Sequence, residues 1–187
     1  IWAAEYRQVE WERRRVGQNL MNEWDRLWPG ALANVKAFRQ AHGEMAVPQP
    51  LVGSKPLERK MVRAILAEEP NPYEWREKGE EEIRDWLKAR GVRCGSRTAR
   101  RVQVAARQAM LLPEDIAVVL AERMKRDFAH YMALDERLKW LEEQSEVFVP
   151  MSPAGVLMSV PGINARLAGQ YLAYAGDVRR YQHADQI

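Results

Sequence analysis

Six arginines carry the first chemical signal in this chain. Arg90, Arg93, Arg97, Arg100, Arg101 and Arg107 are followed by no acid until Glu114, and only Asp85 lies close before them. A guanidinium stays charged and presents a planar fork that matches two phosphate oxygens at once. On a helix, Arg97, Arg100, Arg101 and Arg107 share part of one surface, and phosphate attraction to such a surface dominates polynucleotide binding. The plainer reading is a solvated basic face paired with Glu80 to Glu82. Arg13-Arg14-Arg15 form a second cluster, diluted by Glu10 and Glu12, for which a solvated face is as good an account.

The second signal is a bend. From Val156 to Ala168 an apolar helix end meets Pro161-Gly162, then Ile163, then Asn164 opening another helix with alanines at close-packing positions. This is the layout of a helix-hairpin-helix, which bares backbone N–H groups at the start of its second helix. Those donors and the helix dipole bind a phosphate without reading sequence. The usual pattern has a second glycine where Asn164 stands, and asparagine both tolerates left-handed backbone and caps helices. Arg166, in the first turn of the second helix, adds a possible phosphate contact. A helical hairpin that only packs is the alternative.

Other chemistries find little support. Cys94 is the single cysteine, so neither a disulfide nor a cysteine zinc site can form, and a free thiol in a reducing cytoplasm is expected. His42, His130 and His183 have no ligand spacing. Of the seven tryptophans, Trp24 and Trp28 lie one turn apart and belong in a core. Base stacking by Trp75 or Trp86 is a weaker option. A net charge of +3 permits an anionic partner without demanding one. No run of about 18 apolar residues exists, so no membrane partner is expected.

The elements that must position these groups read as nearly all helical. Apolar spacing predicts a helix over 2–28, closed by Pro29-Gly30, and a short one over 31–41. A proline-rich connector at 47–56 follows. Further helices are expected over 57–69, 75–89 and 96–112, the last capped by Ser96. The longest runs from Pro113 to about Phe148. Its Leu120, Met124, Tyr131, Leu134, Leu138 and Leu141 keep a coiled-coil-like spacing, with Asp127 and Ser145 as polar exceptions, and point to self-association. The fold class is all-α: a helical bundle with a long coiled-coil-like helix, followed by the hairpin. The chain opens on Ile1 and closes at Ile187 within helical patterns, as a piece of a longer polypeptide would.

Residues 157–163 and 169–181 together resemble the start of the C-terminal transposase domain of DEDD-type insertion-sequence transposases, the bridge-RNA-guided recombinases. The family's line appears as Ser159-Val160-Pro161-Gly162-Ile163-Asn164, then Ala175-Gly176-Asp177, then Arg179-Arg180-Tyr181, with Tyr181 where Phe is common. His183 to Ile187 sit where that line continues. Upstream, Arg13-Arg14-Arg15 through Leu27-Trp28-Pro29-Gly30 is similar to the arginine-rich helix after the family's RuvC-like domain. Ile65-Leu66 to Pro70-Asn71-Pro72 resembles one of its turns.

The resemblance implies a two-part active site: metal-binding acids in the RuvC-like domain and a serine nucleophile late in the transposase domain. No residue here matches either, and Ser152 and Ser159 precede the motif. The acids would stand before Ile1 and the serine after Ile187. The full-length protein would use magnesium; no cofactor is expected on the present residues. The expected parts are a helical linker region (1–112), the long helix (113–149) and the first part of the transposase domain (150–187). Expected partners are donor and target DNA, a structured guide RNA and a second copy of the chain, inside a bacterial or archaeal cell. A helical scaffold or dimerisation module, binding nucleic acid non-specifically or not at all, is the competing function.

Overall fold

The computed structural model describes residues 2–32 and 55–176, and every regular element among them is helical. These are α1 (Trp2–Leu27), α2 (Lys60–Glu68), α3 (Pro72–Glu77), α4 (Glu80–Ala89), α5 (Ser96–Gln108), α6 (Glu114–Phe148) and α7 (Ala165–Ala175). Two 3-10 helices, Pro56–Glu58 and Pro153–Ser159, precede α2 and α7. Most of the expected helix at 31–41, most of the connector at 47–56, and everything from Asp177 on lie outside the described residues. No helix among those described is long and apolar enough to cross a membrane.

The all-α expectation holds, with corrections to individual elements. Residues 57–69 are not one helix: Arg59 is extended and separates the 3-10 turn from α2. Residues 75–89 form two helices, because Asn71 and Gly79 each start one. The Asn71 side chain accepts the Tyr73 N–H at 3.2 Å, with Pro72 in the first turn where its missing N–H costs nothing. At Gly79 the Glu82 carboxylate reaches back to the backbone N–H at 2.7 Å. Gly95, not Ser96, occupies the cap position of α5, and the helix ends at Gln108 rather than 112.

The chain divides into two compact units, 1–15 with 131–187 and 16–130. In the second, α4 and α3 pack against α5. The Trp75 ring meets Trp86 edge-on at 4.8 Å, and both indole N–H groups bond to Glu69: Trp75 to its carbonyl at 2.7 Å, Trp86 to its carboxylate at 2.9 Å. Arg76 donates to the Ala106 and Ala109 carbonyls at 2.9 and 2.7 Å, closing the carbonyl end of α5. Within the same unit, α6 buries Ala117, Ala121, Met124 and Phe128, and Arg123 pairs with Glu23 on α1 at 2.9 Å.

In the first unit, Leu138 and Leu141 of α6 pack with Tyr6, Trp2 and Val9 of α1. The Trp2 indole donates to the Leu141 carbonyl at 2.9 Å. A second cluster of Val149, Ala154, Ala165 and Ala168 gathers Phe148, Leu157, Ile163 and Leu172 around it. Gly169 faces the Trp2 ring so closely that a Cβ there would stand 3.0 Å from it.

The buried line of α6 keeps the expected three-four spacing, but the chain's own residues cover it. Met124, Tyr131, Leu138 and Leu141 are buried without a second copy, while Leu120 and Leu134 are half-buried. Of the two expected polar positions Ser145 is buried, donating to the Glu142 carbonyl at 2.7 Å, but the other buried one is Asp135 rather than Asp127; Arg13 meets its carboxylate at 2.8 Å and Lys139 at 3.4 Å. Asp127 is half-buried, with Arg123 at 3.6 Å.

Candidate nucleic-acid interface

The loop and helix that carry the arginine run are built from the end of α4 onward. Gly91, at φ 70, turns the chain out of α4: its N–H bonds to the Lys88 carbonyl at 2.9 Å and the Val92 N–H to that of Leu87 at 3.1 Å. This is the double bond pattern that glycine's left-handed freedom permits. Val92 and Cys94 then turn inward while Arg93 stays exposed. Burial pushes the Cys94 thiol pKa up from its ordinary value. Lys88 lines a shallow depression with Arg93, Gly91 and Gly95.

On α5 the partition of faces is sharp. Ala99, Val102, Ala105 and Ala106 are buried, which leaves Arg97, Arg100, Arg101 and Arg107 exposed. At 100° per residue those four fall within an arc of about 120° opposite the buried stripe. Small buried side chains let α5 sit close to its neighbours and turn the arginines outward, while Gln103 donates to the Lys78 carbonyl at 2.9 Å. Arg100 has Glu80 at 3.8 Å, a loose exposed pair of little energetic weight. Arg107 donates to the Arg76 carbonyl at 3.2 Å. Among the described residues Arg93, Arg97 and Arg101 have no ion pair.

Arg90 behaves differently. Its guanidinium makes a two-pronged pair with Glu68, donates to the Trp86 carbonyl at 2.8 Å and lies 3.5 Å over the Trp86 ring. The Arg90 hydrogen bond holds the Glu68 carboxyl below its ordinary pKa. Neither tryptophan offers a free platform: Trp75 is fully buried and Trp86 is half-buried beneath Arg90. Base stacking at those two rings is therefore corrected.

The bend belongs to the other unit. Ile163 N–H bonds to the Val160 carbonyl at 3.1 Å across Pro161 and Gly162, and Gly162 has φ 90. Proline second and a positive-φ glycine third are what a type II turn requires. The Asn164 side chain accepts the Leu167 N–H at 3.0 Å, so it acts as a cap in extended backbone and not in the left-handed region. Pro161, Gly162 and Asn164 are exposed, whereas Ile163 is half-buried against its cluster. The amides of Ala165 and Arg166, in the first turn, have no intrahelical acceptor. The arm before the turn is a 3-10 helix, Pro153–Ser159, where an apolar helix end was expected.

Arg166 does not stand free beside the bend. It donates to the Tyr6 hydroxyl at 3.3 Å and lies 4.0 Å from the Glu142 carboxylate, to which Tyr6 itself donates at 2.8 Å. Burial and the Glu142 acceptor outweigh Arg166 and push the Tyr6 hydroxyl pKa upward. Its spacing from the bend suggested a phosphate contact, but a tyrosine and a glutamate on other helices were closer. No group of three or more His, Cys, Asp or Glu side chains that could hold a metal occurs among the described residues.

No family model matches the chain, and no solved structure matches it. Over 126 residues, 66% of its length, it is 31% identical to a Streptomyces clavuligerus protein described as "Insertion element IS116 uncharacterized 44.8 kDa protein". The match covers 31% of that protein, so the chain spans about a third of its relative's length. The likeness supports the insertion-sequence assignment reached from the residues. It carries no catalytic residue, guide RNA or DEDD-type chemistry with it.

Proposed function

We propose that this chain is the nucleic-acid-holding part of an insertion-sequence transposase or recombinase, gripping phosphates through the outer face of α5. The observation that carries this reading is the exposed set Arg97, Arg100, Arg101 and Arg107 on one side of that helix, continued by Arg93 and Lys88. Similarity to an insertion-element protein supplies the biological setting. The bend at Pro161 to Asn164 adds a second phosphate contact through main-chain donors, with Arg166 holding it in place. Donor and target DNA and a structured guide RNA are the partners in this reading.

Strand cleavage in that setting falls to acids and a serine that the family resemblance places outside residues 1–187. The described residues do not fit a magnesium site. Self-association belongs to the proposal, but not through Met124, Tyr131, Leu138 and Leu141, which the chain already buries.

The test is a titration of a labelled duplex at two salt concentrations. Arg100→Glu/Arg101→Glu should weaken binding about a hundredfold at low salt and flatten the salt dependence. Unchanged affinity would remove α5 from the interface and leave the helical scaffold as the better account.

A further inference from the structure

The outer stripe of α1 carries a feature that the α5 reading does not use. Arg7, Trp11 and Arg15 follow one another at intervals of four, so they lie in one row along the helix, with Arg14 beside them. Trp11 is 60% exposed, an unusual position for so large an apolar surface, and the Arg15 guanidinium rests 4.8 Å over its ring. At the other end of the row, Arg7 lies 4.5 Å over the ring of Tyr174 on α7, which is 71% exposed. Glu10, beside the row, pairs with Arg14 at 2.8 Å. All of these residues belong to the first unit.

Unlike the half-buried Trp86, each ring keeps most of its surface exposed although a guanidinium rests over it. On α1 the residues that face the core, Trp2, Tyr6 and Val9 against Leu138 and Leu141 of α6, lie on the opposite side. An apolar protein partner would have to desolvate three guanidinium groups to reach two rings. Aromatic faces interleaved with arginines match a chain in which flat bases alternate with phosphates. A duplex keeps its bases stacked on one another and has no face to offer Trp11; unpaired bases do.

We propose that the Arg7–Trp11–Arg15 row with Tyr174 is a binding surface for single-stranded nucleic acid, on which unpaired bases stack on Trp11 and Tyr174 while Arg7, Arg14 and Arg15 meet the phosphates. This rests on the nucleic-acid reading of the chain, yet it uses a different unit and a different physical interaction from α5.

The experiment titrates three labelled probes: an oligouridylate of about 12 nucleotides, an oligothymidylate of the same length, and a blunt duplex of about 20 base pairs. Trp11→Ala/Tyr174→Ala should lose about tenfold or more in single-strand affinity and leave duplex affinity unchanged. Trp11→Phe/Tyr174→Phe should recover most of the loss, which separates stacking from a folding defect. Arg100→Glu/Arg101→Glu should give the reverse pattern. Loss on either single strand upholds the surface, and the tighter of the two names the sugar it meets. An unchanged single-strand affinity in the alanine variant, or an equal loss on the duplex, overturns the stacking surface while α5 stands. If the single strand binds through Trp11 and the duplex does not bind, the α5 reading fails and this one holds. Binding of none of the probes sinks both.

Discussion

Two regions of this molecule carry arginine runs, and they resolve in opposite ways within a few residues. In the α4–α5 region, Arg90 is bound to Glu68 and stacked on Trp86, whereas Arg97 and Arg101, two and three turns further on, are exposed. In the middle of α1, Arg13 meets the buried Asp135 at 2.8 Å while its neighbour Arg15 lies on an exposed ring. Charge in a sequence is not charge available to a ligand. What decides is whether the local helix turns the side chain toward a carboxylate already fixed by packing.

The largest effect expected from this contrast is at Arg13. Arg13→Ala removes the closer cation from a carboxylate only 9% exposed and keeps Lys139 at 3.4 Å. It should cost about 2–3 kcal/mol, less than half of what a domain commonly has in hand. Thermal denaturation followed by circular dichroism would register a drop of several degrees; an unmoved midpoint would mean Arg13 is as free as Arg15. Next comes Arg101→Glu, which should cost about tenfold in duplex affinity, or about 1.4 kcal/mol, with no change in melting. Arg90→Ala should do the reverse: about 1 kcal/mol of stability lost with the Trp86 contact and the Glu68 pair, and duplex affinity intact. Reduced duplex binding by that variant would erase the distinction between the two arginines.

The smallest effect is in pH. Because Arg90 depresses the Glu68 pKa, the pair stabilises the fold above the ordinary carboxylate range, and that contribution fades as pH falls through the lowered value. Both side chains are partly exposed, so solvent screens most of it. The melting difference between the parent and Arg90→Ala should therefore narrow on acidification below about pH 4. A difference that stays constant would assign the stabilisation to the ring contact alone.

Much of this was legible in the residues. Helical spacing located α1 and α6 to within a residue or two, and the alternation of alanine and arginine in 96–108 was enough to turn the basic face of α5 outward. The bond from the Gly79 N–H back to the Glu82 carboxylate was hidden, because the apolar spacing runs through it without a break. Periodicity in α6 marked a buried line but could not say what buries it; the covering side chains, Tyr6 and Trp2, stand more than a hundred residues away in the chain. The same long separation hid the Tyr6–Arg166 bond, so a residue placed by spacing beside a phosphate turned out to be holding its own helix. Exposure of Trp11 was legible, since it falls outside the apolar spacing of α1 and opposite Trp2, Tyr6 and Val9; the guanidinium over its ring was not.

The contact between Gly169 and the indole of Trp2 sets a rule for variation at both ends of this unit. A methyl group at 169 would stand 3.0 Å from the indole, itself held by a hydrogen bond, and 3.1 Å from Val149, so a rigid ring would have to give by a few tenths of an ångström. A library randomised at position 169 should favour glycine while the indole is present. Larger residues should emerge chiefly in company with a smaller one at position 2, so that two sites far apart in the sequence change as a pair.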